Sequence, residues 1–279
     1  MTVDRRGMLA AMAGAAMSGA DMAGAAAAPA AARKQPFVLV HGTWLGGWLW
    51  ADVAARLRAV GHLVHTPTLT GVGERAHLAS PDVGLETHIT DITAVIDCEE
   101  LHDVILVGHS FSGVAATGAL DRRQDKVAHI CFLDAVIPTG NRMSGVETNP
   151  DGSDTPYFAK RRASFINGYM MDFWKDYPLD MLVSEDWPLV REKLKRRITP
   201  HPARAWTDRL ALHNGGWEGK SRSCIRLTGQ TFAQSSEKMW GPSRAPGWTN
   251  IDLPHTRMAM LTHPDEVAGA LLSLTSSVR

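Results

Sequence analysis

The hexapeptide GHSFSG, residues 108–113, sets a serine among residues without bulk, with Gly108 before it and Ser112 and Gly113 after it. The apolar run DVILVGHS ahead of it reads as a strand, and FSGVAATGALDRR behind it reads as a helix. A serine on so sharp a strand-to-helix turn has its hydroxyl raised above the sheet edge, where it can attack a carbonyl carbon. Ser110 is therefore the candidate nucleophile. Tight turns also need small residues for steric reasons alone, so the flanking elements and the upstream HGTW carry the assignment as much as the letters do. Within HGTWLGGWLW, Gly42 allows a close backbone turn, which predicts that the amides of Thr43 and Phe111 form a two-donor oxyanion hole. Trp44 and His109 are candidate substrate-facing residues beside it. Trp44, Trp48 and Trp50 fit core packing equally well.

Such a site needs a sheet to hold it. From residue 37 the chain alternates FVLVHG, GWLWADVAARLRAVG and LVHTPTL, a strand, a helix and a strand. LETHITDITAVIDCEE places Leu85, Ile89, Ile92 and Ile96 on one helical face. VAHICFLDAVIP, CIRLTGQ and NIDLP read as further strands, and HPDEVAGALLSLTSS as a closing helix with Pro264 in its first turn. Continuous β-branched strands alternating with amphipathic helices predict an α/β fold: a doubly wound, mostly parallel sheet covered on both faces. Between about residues 140 and 222 the alternation stops, and aromatics with helix formers predict an inserted helical cap.

The 279 residues suffice for one such domain over residues 34–279, and 29 basic against 29 acidic residues give no electrostatic argument for nucleic acid or an anionic membrane. The expected partner is a small molecule. Cys98, Cys131 and Cys224 show neither metal-ligand nor disulfide spacing and read as buried packing residues, so no metal or cofactor is expected. Residues 1–33 differ in kind: Arg5 and Arg6 precede an Ala- and Gly-rich run with small residues around Ala28–Pro29–Ala30. This architecture predicts a twin-arginine export signal and a periplasmic destination, with a disordered alanine-rich extension as the alternative.

FVLVHGTWLGGWLW, PTLTGVGERAHLASPDVGLETHI, DVILVGHSFSG, FLDAVIP and MAMLTHPDEVA together resemble the α/β-hydrolases of the plant methyl esterase and hydroxynitrile lyase group, and their bacterial esterase-like branch most. The resemblance spans residue 36 to the end, with the cap matched poorly. It implies a cofactor-free Ser–His–Asp machine acting on carbonyl compounds. Lyases of the group carry threonine after the first-strand histidine and lysine after the catalytic histidine; here Gly42 and Met258 stand there and favour an esterase-like site.

Two positions depart from that pattern. The group's catalytic histidine precedes the segment matching MAML, where this chain has Arg257, and its aspartate follows the strand matching CIRLTG, where this chain has Gln230. A guanidinium has five donors and no acceptor, so it cannot take a proton from serine. His255, two residues upstream, is the candidate replacement base, and an exposed loop histidine is its bland reading. Asp134, ending FLDA, is the candidate orienting acid or else a structural hydrogen-bonding residue, while Gln230 and Arg257 become candidate substrate contacts. Three functions follow: a serine hydrolase of esterase or lactonase type on a bulky apolar or aromatic substrate, a lyase, isomerase or cyclase that uses Arg257, or a ligand-binding protein with a decayed triad.

Overall fold

The computed structural model describes residues 34–140, 146, 148–172, 179–229 and 238–277. The export signal expected in residues 1–33, the aromatics Phe173, Trp174 and Tyr177, and Gln230 lie outside the described residues.

Eight strands are described: β1 (Phe37–Val40), β2 (Val64–His65), β3 (Val104–His109), β4 (Val127–Leu133), β5 (Met170–Met171), β6 (His201–Pro202), β7 (Ser221–Leu227) and β8 (Thr249–Leu253). Six of them form one sheet in the order β2-β1-β3-β4-β7-β8, and every pairing within it is parallel. The expected doubly wound sheet is present. Side-chain alternation splits each central strand between two cores. Ile105, Val107, Cys131 and Leu133 face one layer, built with α1 (Ala51–Ala59) and the closing helix Pro264–Ser273. Leu106, Ile130, Phe132 and Cys224 face the other, built with α2 (Leu85–Cys98) and α3 (Ser112–Arg122). Each fully buried aliphatic or aromatic side chain contributes about 1.5–3 kcal/mol relative to exposure.

The small residues of α3 do what their size predicts. A Cβ on Gly118 would come within 2.4 Å of Ile89 Cδ1 on α2, and one on Gly113 within 2.1 Å of the Val136 carbonyl oxygen. Cys131 and Cys224 are buried, whereas Cys98 is exposed at the end of α2, contrary to its reading as a packing residue.

The cap also departs from expectation, being mixed rather than helical. It holds α4 (Pro156–Arg162), α5 (Pro188–Arg197) and the short α6 (Arg204–Thr207), together with an antiparallel ribbon of β5 on β6. Asn167 (φ 53°) and Gly168 (φ 76°) turn the chain into β5 with left-handed backbone. Pro200 and Pro202 prevent α5 from continuing into the second ribbon strand. Two further helices are α7 (Ala259–Thr262) and α8, the closing helix Pro264–Ser273.

Candidate active site

The register of β3 on β4 pairs His109 with Leu133, so the next residue of each strand, Ser110 and Asp134, emerges at the same C-terminal edge. Both have left-handed backbone, φ 59° at Ser110 and φ 44° at Asp134. A non-glycine residue held there costs on the order of 1–3 kcal/mol and survives only where its surroundings fix it. The fixing is visible: Ser110 N–H donates to the Leu133 carbonyl at 3.3 Å, Val136 N–H to the Ser110 carbonyl at 2.9 Å, and Asp134 N–H to the Ile225 carbonyl at 2.8 Å. Gly42 lies against the turn so closely that a Cβ there would approach Ser110 Cβ to 2.8 Å. Ser112, standing where glycine is usual, donates its hydroxyl to the His41 carbonyl and ties the serine turn to the loop after β1.

The amides of Thr43 and Phe111 donate to no group among the described residues. Trp206 of the cap covers both residues. Its Nε1–H donates to Thr43 Oγ1 at 3.1 Å, and its ring stacks on Phe111 at 4.7 Å and 26°. Trp44 donates its Nε1–H to the Met171 carbonyl at 3.2 Å and its amide to Nδ1 of His201 at 3.4 Å. Trp206 and His201 escaped the sequence reading as site residues; both sit in the cap, where the strand–helix alternation stops and gives no position to aim from.

Arg257 occupies the base position. Its Nη2–H donates to Ser110 Oγ at 2.8 Å, and its Nη1 lies 3.1 Å from Oδ2 of Asp134. Among the described residues, Arg257 is the one hydrogen-bond partner of the serine hydroxyl. Asp134 is fully inaccessible to solvent, so the guanidinium neutralises a charge that would otherwise be costly to bury. The chain of contacts runs Asp134–Arg257–Ser110, an ion pair leading to a donor rather than to an acceptor.

His255 is turned elsewhere. Gly229 N–H donates to the His255 carbonyl at 3.1 Å, and His255 N–H donates to the Leu253 carbonyl at 2.8 Å. With its backbone held this way, the ring stacks on His263 and its Nε2 meets Glu266 Oε2 at 2.8 Å, on α8 and not at Ser110. The structure therefore does not bring the candidate base to the nucleophile. His109 is likewise no cavity residue: it is fully buried edge-on against Trp50. Burial first, and the Arg257 charge second, hold its imidazole well below the ordinary histidine range.

His41 is buried too, its Nδ1–H donating to the Gly42 carbonyl at 2.8 Å while Nε2 accepts from Leu69 N–H at 3.0 Å. Loss of hydration lowers its pKa to about 4, so it is a neutral structural strut of the oxyanion loop. A small cleft opens beside this loop. Trp44, Leu45, Leu182, Ile198 and Met258 form its apolar walls, and Thr43 and Arg257 its polar edge.

The model of the alpha/beta hydrolase family matches residues 37–270, which contain the sheet, the serine turn and Arg257. The chain belongs to the alpha/beta hydrolase family. It is 35% identical over 254 residues to a carbendazim hydrolyzing esterase of Nocardioides sp. (strain SG-4G), covering 85% of this chain and 98% of that one. It is 26% identical over 269 residues to a probable esterase of Oryza sativa subsp. indica, covering 86% and 96%. Among solved structures, an extracellular alpha/beta-hydrolase from a Paenibacillus species superposes with a TM-score of 0.68 at 23% identity, covering 86% of this chain and 98% of that one. As an alpha/beta hydrolase with esterase relatives, the protein is an enzyme of hydrolase type.

Proposed function

We propose that Ser110 is the nucleophile of an esterase- or lactonase-type reaction that runs without an imidazole partner. The observation that carries this reading is the 2.8 Å hydrogen bond from Arg257 Nη2 to Ser110 Oγ. A cationic donor at that distance stabilises the alkoxide more than the hydroxyl, so it eases ionisation without receiving the proton. The proton passes to hydroxide, to water or to a basic atom of the substrate. Oγ then bonds to the carbonyl carbon, the carbonyl oxygen takes the negative charge between the Thr43 and Phe111 amides, and the leaving alcohol departs with a proton from water. Water cleaves the acyl-serine in the same way. Asp134 keeps Arg257 in place as a positioning residue.

The apolar side chains Trp44, Leu182 and Ile198 in the walls of the cleft support a carbonyl compound with an apolar group. Hydrolysis of p-nitrophenyl acetate by purified protein tests the reading. Wild type is expected to turn over, and Ser110→Ala to fall to background. Undiminished turnover in Ser110→Ala contradicts it.

A second reading keeps Arg257 and drops acyl transfer. Two of its five N–H donors face Asp134 and Ser110, which leaves donors for a carboxylate or enolate of a substrate in a lyase, isomerase or cyclase step. Its mark is turnover of such a substrate that survives Ser110→Ala and is lost in Arg257→Ala. The pair Arg5–Arg6 and the small residues that follow support export to the periplasm through a twin-arginine route, which N-terminal sequencing of a periplasmic fraction checks.

A further inference from the structure

His255, displaced from the serine, belongs to a different constellation. It comes from the loop after β8, whereas His263 is the residue that leads into α8 and Glu266 stands in the first turn of that helix. The two imidazoles lie parallel, with ring centroids 3.6 Å apart and planes 8° apart. Glu266 Oε2 is 2.8 Å from His255 Nε2, and one ligand atom from each of the three residues lies within 4.8 Å of the other two. Trp187 closes one side, edge-on to His263 at 5.2 Å. Ligand atoms bound tetrahedrally to Zn²⁺ at about 2.0–2.1 Å stand roughly 3.3 Å apart, so binding requires the stacked rings to tilt apart until one ion lies in both ring planes, with the exposed carboxylate closing on it. Two imidazole nitrogens and one carboxylate are ligands of the kind Zn²⁺ takes, with a fourth position left for water.

We propose that His255, His263 and Glu266 bind one divalent transition-metal ion of the Zn²⁺ type on the outer side of the loop that carries Arg257. Such an ion clamps residues 255–257 to the first turn of α8 and so steadies the guanidinium at Ser110. The site is independent of whether Ser110 is used, because none of its ligands touches the serine or the cleft.

The test is calorimetric titration of the full-length protein, freed of metal by a chelator, with Zn²⁺, and in parallel the visible absorption of the Co²⁺-loaded protein. One ion per chain is expected at micromolar affinity or tighter, with the intense visible bands of four-coordinate Co²⁺. Glu266→Gln and His255→Ala are each expected to weaken binding at least about tenfold. His102→Ala, on an exposed residue outside the cluster, is expected to bind as wild type does. Glu266 is exposed, so Glu266→Gln folds normally and its metal-free melting temperature matches that of wild type. Absence of stoichiometric binding, or binding that survives unchanged in both Glu266→Gln and His255→Ala, overturns the proposal and leaves a histidine–carboxylate pair stacked on a second ring.

Discussion

Arg257→His is expected to raise the rate of p-nitrophenyl acetate hydrolysis by on the order of 10²-fold or more, the contribution of a positioned general base. The guanidinium now bridges Ser110 Oγ at 2.8 Å and Asp134 Oδ2 at 3.1 Å. An imidazole on the same loop faces the same two groups with an acceptor nitrogen toward Oγ and an N–H toward the carboxylate. That is the order a proton transfer requires. The gain is expected to vanish in Arg257→His/Ser110→Ala. It is also expected to shrink in Arg257→His/Asp134→Asn, where the carboxylate no longer orients the ring or stabilises its charged form. A rate in Arg257→His equal to or below that of wild type, in protein with an unchanged melting temperature, contradicts the view that the missing element is an acceptor at this position.

Acid is expected to unfold the domain between about pH 6.5 and 4. Burial lowers the pKa values of His41 and His129 to about 4, and it pushes His88, His109 and His201 below the ordinary value as well. At pH 7 the folded and unfolded chains both hold these rings neutral, and the full stability is present. As the pH falls past 6.5, the unfolded chain takes up protons that the folded chain refuses until about pH 4, so stability is lost through that window. A shift from 6.5 to about 4 is worth on the order of 3 kcal/mol for each of His41 and His129. Their sum is comparable with the whole stability of an ordinary domain, about 5–15 kcal/mol. Thermal melts are expected to show a fall on the order of 10–20 °C between pH 7.5 and 4.5. A melting temperature that is flat across this interval contradicts the burial of these rings as neutral groups.

The strands, α2, α3 and the serine turn were legible in the residues because each obeys a local rule. Period-two or continuous apolar runs form the strands, Leu85, Ile89, Ile92 and Ile96 mark α2, and small residues crowd around Ser110. The relation between Asp134 and Arg257 was not legible, although each residue stood out separately. Nothing in the spacing says that two residues so distant in the chain meet; the register of β3 on β4 and the path of residues 254–258 decide it.

The loop of His255 leads toward the serine, which makes this residue the candidate base on sequence grounds. The pinning of its carbonyl by Gly229 instead turns the ring to Glu266. The β5–β6 ribbon consists of two-residue strands, too short to leave a periodic signal, so the cap read as helical. Trp206 and His201 reach Phe111 and Trp44 only through that ribbon and the turn after it. Gln230 falls outside the described residues.

A serine that works beside a fixed cation and without an imidazole acceptor leaves its mark on the pH profile of the reaction. The measurement is kcat/KM for wild-type hydrolysis of p-nitrophenyl acetate as a function of pH. Without a titrating base, the logarithm of the rate is expected to rise steadily from neutral pH into the alkaline range with no plateau, and to follow the same course in His255→Ala. A sigmoid that levels off above an inflection near pH 6–7, and that disappears in His255→Ala, contradicts the account and makes His255 the base after all.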